Sequence, residues 1–144
     1  MRKAIAALAV TSIALLTAVQ AQTTQSVWDG IYTEDQAARG AQNYVQVCAA
    51  CHGATLGGSG EAPALSGGQF IGDFDGQTVG DVFDRIRTTM PQSAPGVLSR
   101  EQYADILAFL LKSNGFPAGK TELDRRSEYL KAISFESSKP AGKP

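Results

Sequence analysis

Histidine, cysteine and methionine are all scarce in this chain: one His, two Cys and two Met among 144 residues. One histidine is too few for a multi-histidine metal site, and two cysteines are too few for a disulfide scaffold. Charge of one sign is lacking as well. Thirteen basic and fourteen acidic side chains leave no basic excess, which argues against a nucleic-acid binder. After residue 21 no apolar run is long enough to span a bilayer, and no stretch alternates apolar and polar residues over a useful strand length. Hydrophobic residues nevertheless make up 43% of the chain. That excludes wholesale disorder and fits one globular domain.

The longest apolar run stands at the start. Arg2 and Lys3 precede an uncharged stretch, Ala4–Val19, interrupted by Thr11, Ser12 and Thr17, and Val19-Gln20-Ala21 presents small side chains at a cleavage site. This is the pattern of an export signal, residues 1–21, cut after Ala21. The run is shorter than the roughly 20 residues a spanning helix needs, so no membrane anchor is expected after the cut. Cleavage leaves eleven basic against fourteen acidic groups, a formal charge of −3. The expected compartment is the periplasm or the exterior, where disulfides form readily.

The rest of the chain reads as helices separated by loops. Residues 22–32 are polar with a few aromatics and are expected to be a flexible lead-in. Thr33-Glu34-Asp35-Gln36 is a capping-box pattern that opens a helix running into Cys48–His52. Gly53–Gly68 holds six glycines and Pro63 and reads as loop. Thr78 caps a second helix through about Thr89, with Val79, Val82, Phe83 and Ile86 at helical spacing. Ser99-Arg100-Glu101-Gln102 repeats the capping pattern before the strongest stripe, Tyr103, Ile106, Leu107, Leu110 and Leu111. Asn114-Gly115-Phe116-Pro117 stops that helix. A short extra helix is predicted within Thr121–Phe135, and a disordered tail over 136–144. The fold class is all-α.

Chemistry concentrates in Cys48-Ala49-Ala50-Cys51-His52. Cys-x-x-Cys-His is the attachment signature for c-type haem. Residues three and four apart share one face of a helical turn, so both thiols and the imidazole address one planar ligand. Ala49 and Ala50 leave room for its edge. A thioredoxin-like pair would need a βαβ context, which is absent. Tetrahedral zinc would need a fourth donor, and a structural disulfide would leave His52 without a role. Met90, the last methionine once residues 1–21 are removed, lies in Thr88-Thr89-Met90-Pro91. A lone methionine is ordinarily core filler. Here a cysteine-bound haem needs a second axial ligand, and Met90 is the remaining candidate beside His52.

On these residues the chain resembles a class I, monohaem cytochrome c over about Thr33 to Gly115. Gly40 and Tyr44 match that family's glycine and aromatic on its N-terminal helix, and Asp105–Leu110, with Phe109 in the aromatic position, is similar to its C-terminal helix. The resemblance implies a cytochrome c-like fold of three to five helices around one covalent haem c, in a domain of residues 33–135 that includes a C-terminal extension. It implies that the terminal helices cross at the glycine and that the Pro63 carbonyl accepts the Nδ1–H of His52, fixing its tautomer. Gln69–Gln77 departs from the family pattern in lacking a tryptophan. Arg85 and Arg87 are the candidates for contacts to haem propionates, against the alternative of solvated charges on a helix.

The expected function follows from closed histidine–methionine ligation. An iron without an open position serves one-electron transfer rather than substrate chemistry, so the chain is expected to be a periplasmic carrier and not itself an enzyme. Redox proteins are the expected donor and acceptor. Arg85–Pro91 with Tyr103–Leu111 and Asn114–Pro117 is similar to cytochromes associated with quinoprotein alcohol dehydrogenases, which points to a quinoprotein dehydrogenase as donor. Two other readings stand beside this one: a fixed haem subunit of a dehydrogenase complex, and an open-iron haem enzyme or gas sensor in which Met90 does not ligate.

Overall fold

The computed structural model describes residues 25–142; the export signal, residues 1–21, lies outside them. Among the described residues six α-helices are present: α1 Glu34–Val47, α2 Ala49–His52, α3 Gly68–Phe74, α4 Val79–Thr89, α5 Arg100–Ser113 and α6 Ser127–Leu130. The all-α reading stands. The number exceeds the expected three to five because α2 and α6 are single four-residue turns. None of these helices is long and apolar enough to cross a membrane.

Caps set the helix starts. The Thr33 hydroxyl accepts the Gln36 N–H, with Glu34 and Asp35 in the first turn to meet the helix dipole. Gln36 does not close the expected box. Its amide is buried and forms two bonds with the Leu123 backbone, at 3.0 and 2.7 Å. Thr78 with Asp81 and Ser99 with Gln102 close full capping boxes on α4 and α5.

Helices α1 and α5 make the main packing layer. A Cβ at Gly40 would lie 1.8 Å from the Asp105 carbonyl oxygen and 2.9 Å from Phe109 Cβ. Backbone therefore meets backbone at the crossing, and only glycine fits. Beside it Tyr44 and Phe109 pack with ring centroids 5.3 Å apart. Arg39 reaches across with a two-pronged bond to Asp105, at 3.0 and 3.1 Å. The stripe Tyr103, Ile106, Leu107, Leu110 and Leu111 is buried as its spacing required.

Two expectations need correction. From Gln25 onward the lead-in is folded: Gln25–Ser26 (β1) pairs in parallel with Ile133–Ser134 (β2), Val27 is fully buried, and the Tyr32 hydroxyl donates to Phe116 O at 2.6 Å. Its apolar residues are too few for a periodic signal, and their partners lie some hundred residues away. Within Thr121–Phe135 the expected short helix is present as the single turn α6, and most of the remaining segment is irregular chain outside β2. It spends its apolar residues Leu123, Leu130, Ile133 and Phe135 on the core. At the start of the expected tail, Glu136 O accepts the Trp28 indole N–H at 2.9 Å, and the Ser137 N–H donates to Asp75 at 2.7 Å. The segments 25–32 and 133–137 thus lock together over an aromatic cluster of Trp28, Phe70, Phe74, Phe116 and Phe135. Helix α3, with Phe70 and Phe74 inward, was not anticipated because the three glycines flanking Phe70 (Gly67, Gly68 and Gly72) mask its pattern.

Candidate haem site

The Cys-x-x-Cys-His run forms the single turn α2, directly after α1. Cys51 N–H and His52 N–H both donate to Cys48 O, at 3.2 and 2.9 Å, so the three side chains issue from one turn. Both cysteines are free thiols. Cys48 is half-buried and Cys51 exposed. Burial pushes the Cys48 thiol up to about 11, with Cys51 adding to it. Burial likewise raises the Tyr44 phenol, whose hydroxyl donates to Gly53 O at 2.7 Å and ties the end of this turn to α1.

His52 is only 7% exposed. Its Nδ1 lies 2.9 Å from Pro63 O. A carbonyl only accepts, so Nδ1 carries the proton and Nε2 keeps its lone pair for a metal. The loop that brings Pro63 back is closed by bonds from Gly58 N–H to His52 O (2.9 Å), from Ser59 N–H to Ala62 O (3.0 Å) and from Leu65 N–H to Leu56 O (2.7 Å). Gly58 sits at φ +76°, and a Cβ there would meet Ala62 O at 2.6 Å and Pro63 C at 2.8 Å. That glycine permits the close approach. Asn114, at the end of α5, pins the far side of the loop through Leu65 O (3.0 Å) and Gly67 N–H (2.9 Å).

Met90 caps the C-terminal end of α4 and is half-buried. Its N–H donates to Ile86 O at 2.9 Å, and its carbonyl accepts the Tyr103 hydroxyl at 2.7 Å. The two arginines differ. Arg85 is exposed and lies over the Phe74 ring, 5.4 Å from its centroid. Arg87 is half-buried and reaches Asp84 at 3.4 Å, while its Nε–H is shielded from solvent and has no partner among the described residues. The contacts that Tyr103, Gly58, Asn114 and Asp84 make at this site have no signal in the sequence: a buried Tyr on a helix stripe, a loop glycine and single polar residues do not show what they will touch.

These residues fit a haem. Two reduced thiols share a turn with an imidazole whose free nitrogen is defined, and a buried guanidinium N–H awaits an anion. Among the described residues no group of three or more His, Cys, Asp or Glu is placed to hold a metal ion, so a tetrahedral zinc site has no donor set.

Crossed terminal helices and a Cys-x-x-Cys-His turn define a class I cytochrome c domain. Residues 35–110, more than half of the chain, match the model of the family described as cytochrome c oxidase, cbb3-type, subunit III, and the chain belongs to that family. Its fold is similar to a chain in the crystal structure of the sulfane dehydrogenase SoxCD from Paracoccus pantotrophus. The TM-score is 0.50 and the identity 25%, over 90% of this chain and 68% of the other. A comparison with curated proteins finds no significant match. A cytochrome c domain implies covalently bound haem c and haem-based electron transfer.

Proposed function

We propose that the protein is an exported one-electron carrier with a single haem c joined through Cys48 and Cys51 and held at its iron by His52 Nε2 and the Met90 thioether. Haem bound there supplies one-electron chemistry by cycling its iron between the ferric and ferrous states. The observation that carries the residue assignment is the bond from His52 Nδ1–H to Pro63 O, which in the neutral ring places the lone pair on Nε2 and fixes the ring's orientation. Met90 is held at its N–H by α4 and at its carbonyl by Tyr103, which supports a fixed second ligand over an open iron. The unpaired Arg87 Nε–H supports a propionate contact there; Arg85, engaged with Phe74, is the lesser candidate.

The proposed donor is a dehydrogenase, and on the sequence resemblance a quinoprotein. The likeness to a chain of the sulfane dehydrogenase SoxCD supports the broader class. The same likeness favours a second reading, in which the protein is the fixed haem subunit of a dehydrogenase; co-purification separates the two. Export with a cut after Ala21 rests on residues 1–21, and a mature N-terminus at Gln22 is the expected result of intact-mass analysis.

Absorption spectra in both redox states test the ligation. A low-spin c-type spectrum, a weak methionine–ferric band and resistance of the ferrous protein to carbon monoxide are expected. Ready binding of carbon monoxide would replace the carrier with an open-iron protein.

A further inference from the structure

The C-terminal extension is held by the body of the protein at several places, two of them well apart. Near its start the amide of Gln36, on α1, clasps the Leu123 backbone. Further on it binds α4, the helix that ends at Met90. There the Ser127 hydroxyl donates to Asp84 Oδ2 at 2.5 Å, and Lys131 Nζ lies 3.6 Å from the same oxygen. The other oxygen of Asp84 faces Arg87 at 3.4 Å. A Cβ at Gly80 would meet Lys131 N at 2.7 Å, so α4 and the end of α6 are in backbone contact. Beyond it Ser134 bridges to Thr78, the cap of α4, and Phe135 exchanges bonds with Gly76 and Gln77 at 3.0 and 2.9 Å.

The α4 anchor is thus placed about 1.7 turns before Met90. In the intervening turn the hydroxyls of Thr88 and Thr89 donate to Asp84 O and Arg85 O, both at 2.7 Å. Burial works against the charge on Asp84, yet its bonds to Ser127 and Arg87, with Lys131 nearby, hold its carboxyl below the usual carboxylate range. The anchor is therefore ionised at neutral pH.

We infer that the extension is a brace for the sixth ligand: Asp84, tied to Ser127 and Lys131, is a positioning residue that fixes α4, and through it Met90 and the Arg87 guanidinium, against the haem. This rests on the ligation proposed above. It assigns residues 120–135 to the control of iron ligation and not to the docking of a partner, in keeping with the burial of Leu123, Leu130, Ile133 and Phe135. Asp84 and Met90 belong to one continuous helix and its cap, so the two positions are joined by a single rigid element.

The test compares the two anchors in ferric holoprotein. Imidazole is the probe, because it competes with the methionine for the iron. Ser127→Ala and Asp84→Asn are expected to raise imidazole affinity about fivefold or more, within the range of ordinary coupling between sites, and to weaken the methionine–ferric band while covalent haem is retained. Gln36→Ala loosens the extension at its other anchor and is expected to lower Tm with affinity within about twofold of wild type. Ser127→Ala removes a single hydroxyl and decides alone if Asp84→Asn fails to accumulate. Unchanged affinity in Ser127→Ala, or an equal rise in Gln36→Ala, overturns the brace. A wild-type protein that lacks the methionine–ferric band overturns the Met90 assignment itself and the brace with it; the band present with unmoved variants removes the brace alone.

Discussion

Replacing Gly58 by alanine should loosen the grip on His52 and raise the reduction potential. The added Cβ would stand 2.6 Å from Ala62 O, 2.8 Å from Ala64 N and 2.8 Å from Pro63 C. All three are backbone atoms, so the Pro63 segment must move away. The φ of +76° adds strain of about 1–2 kcal/mol for a residue with a side chain, and the overpacking about 1–3 kcal/mol. Stiffening of the unfolded chain works the other way by about 0.4–1 kcal/mol and offsets only part of that loss. A fall in Tm of roughly ten degrees is expected for a domain of this size. The functional effect comes through the 2.9 Å bond from Nδ1–H to Pro63 O. That bond strengthens the imidazole as a donor to iron and so favours the ferric state; its loss favours the ferrous state. A hydrogen bond of about 0.5–1.5 kcal/mol net, spent wholly on that difference, corresponds to a rise of roughly 20–60 mV for one electron. Spectroelectrochemical titration of wild type and variant reads it directly. A folded, haem-loaded variant whose potential is unchanged or lower would refute the reasoning.

Other sites give independent checks. Tyr103→Phe removes the hydroxyl that meets Met90 O at 2.7 Å; a stability loss of about 1 kcal/mol by denaturant titration and a weaker methionine–ferric band are expected. Gly40→Ala drives a Cβ to 1.8 Å from Asp105 O and should cost about 3 kcal/mol or more, visible as loss of soluble protein or a large fall in Tm, despite alanine's better helix propensity. Acid should destabilise the fold over a defined window. Arg126 holds the Asp124 carboxyl down to about 2, and Asp81 and Asp84 are also lowered. Depressed folded-state values give stability that is present above about pH 4 and lost as pH falls toward 2. Because Asp124 is only half-buried and its partner Arg126 is exposed, Asp124→Asn should flatten a Tm-against-pH profile only slightly.

The sequence made some of these features visible and concealed others for physical reasons. Helices α1, α4 and α5 announce themselves because a cap and an apolar stripe at helical spacing are local facts, and Thr33, Thr78 and Ser99 all cap where expected. The Cys48–His52 turn is legible because its chemistry requires a fixed spacing. The Pro63 contact was expected from family resemblance and is present at 2.9 Å. Burial of Gln25–Tyr32 and of Leu123–Phe135 was not legible. Each of these segments is stabilised by the other and by the aromatic cluster, and pairings such as Gln25 with Ile133 leave no periodic trace in either stretch. Gln36 shows the same limit: its local pattern asks for a cap, while a distant backbone at Leu123 offers two bonds and wins its amide.

Electron transfer by this protein requires a cofactor attached at Cys48 and Cys51, on α2 and its cap. The most direct test is peptide mass mapping of the protein isolated from the exported fraction of cells able to mature c-type cytochromes. The expected result is one haem carried by the peptide that spans Cys48 and Cys51, joined through both sulfurs. Recovery of that peptide with both cysteines as free thiols, or joined to each other, would contradict it.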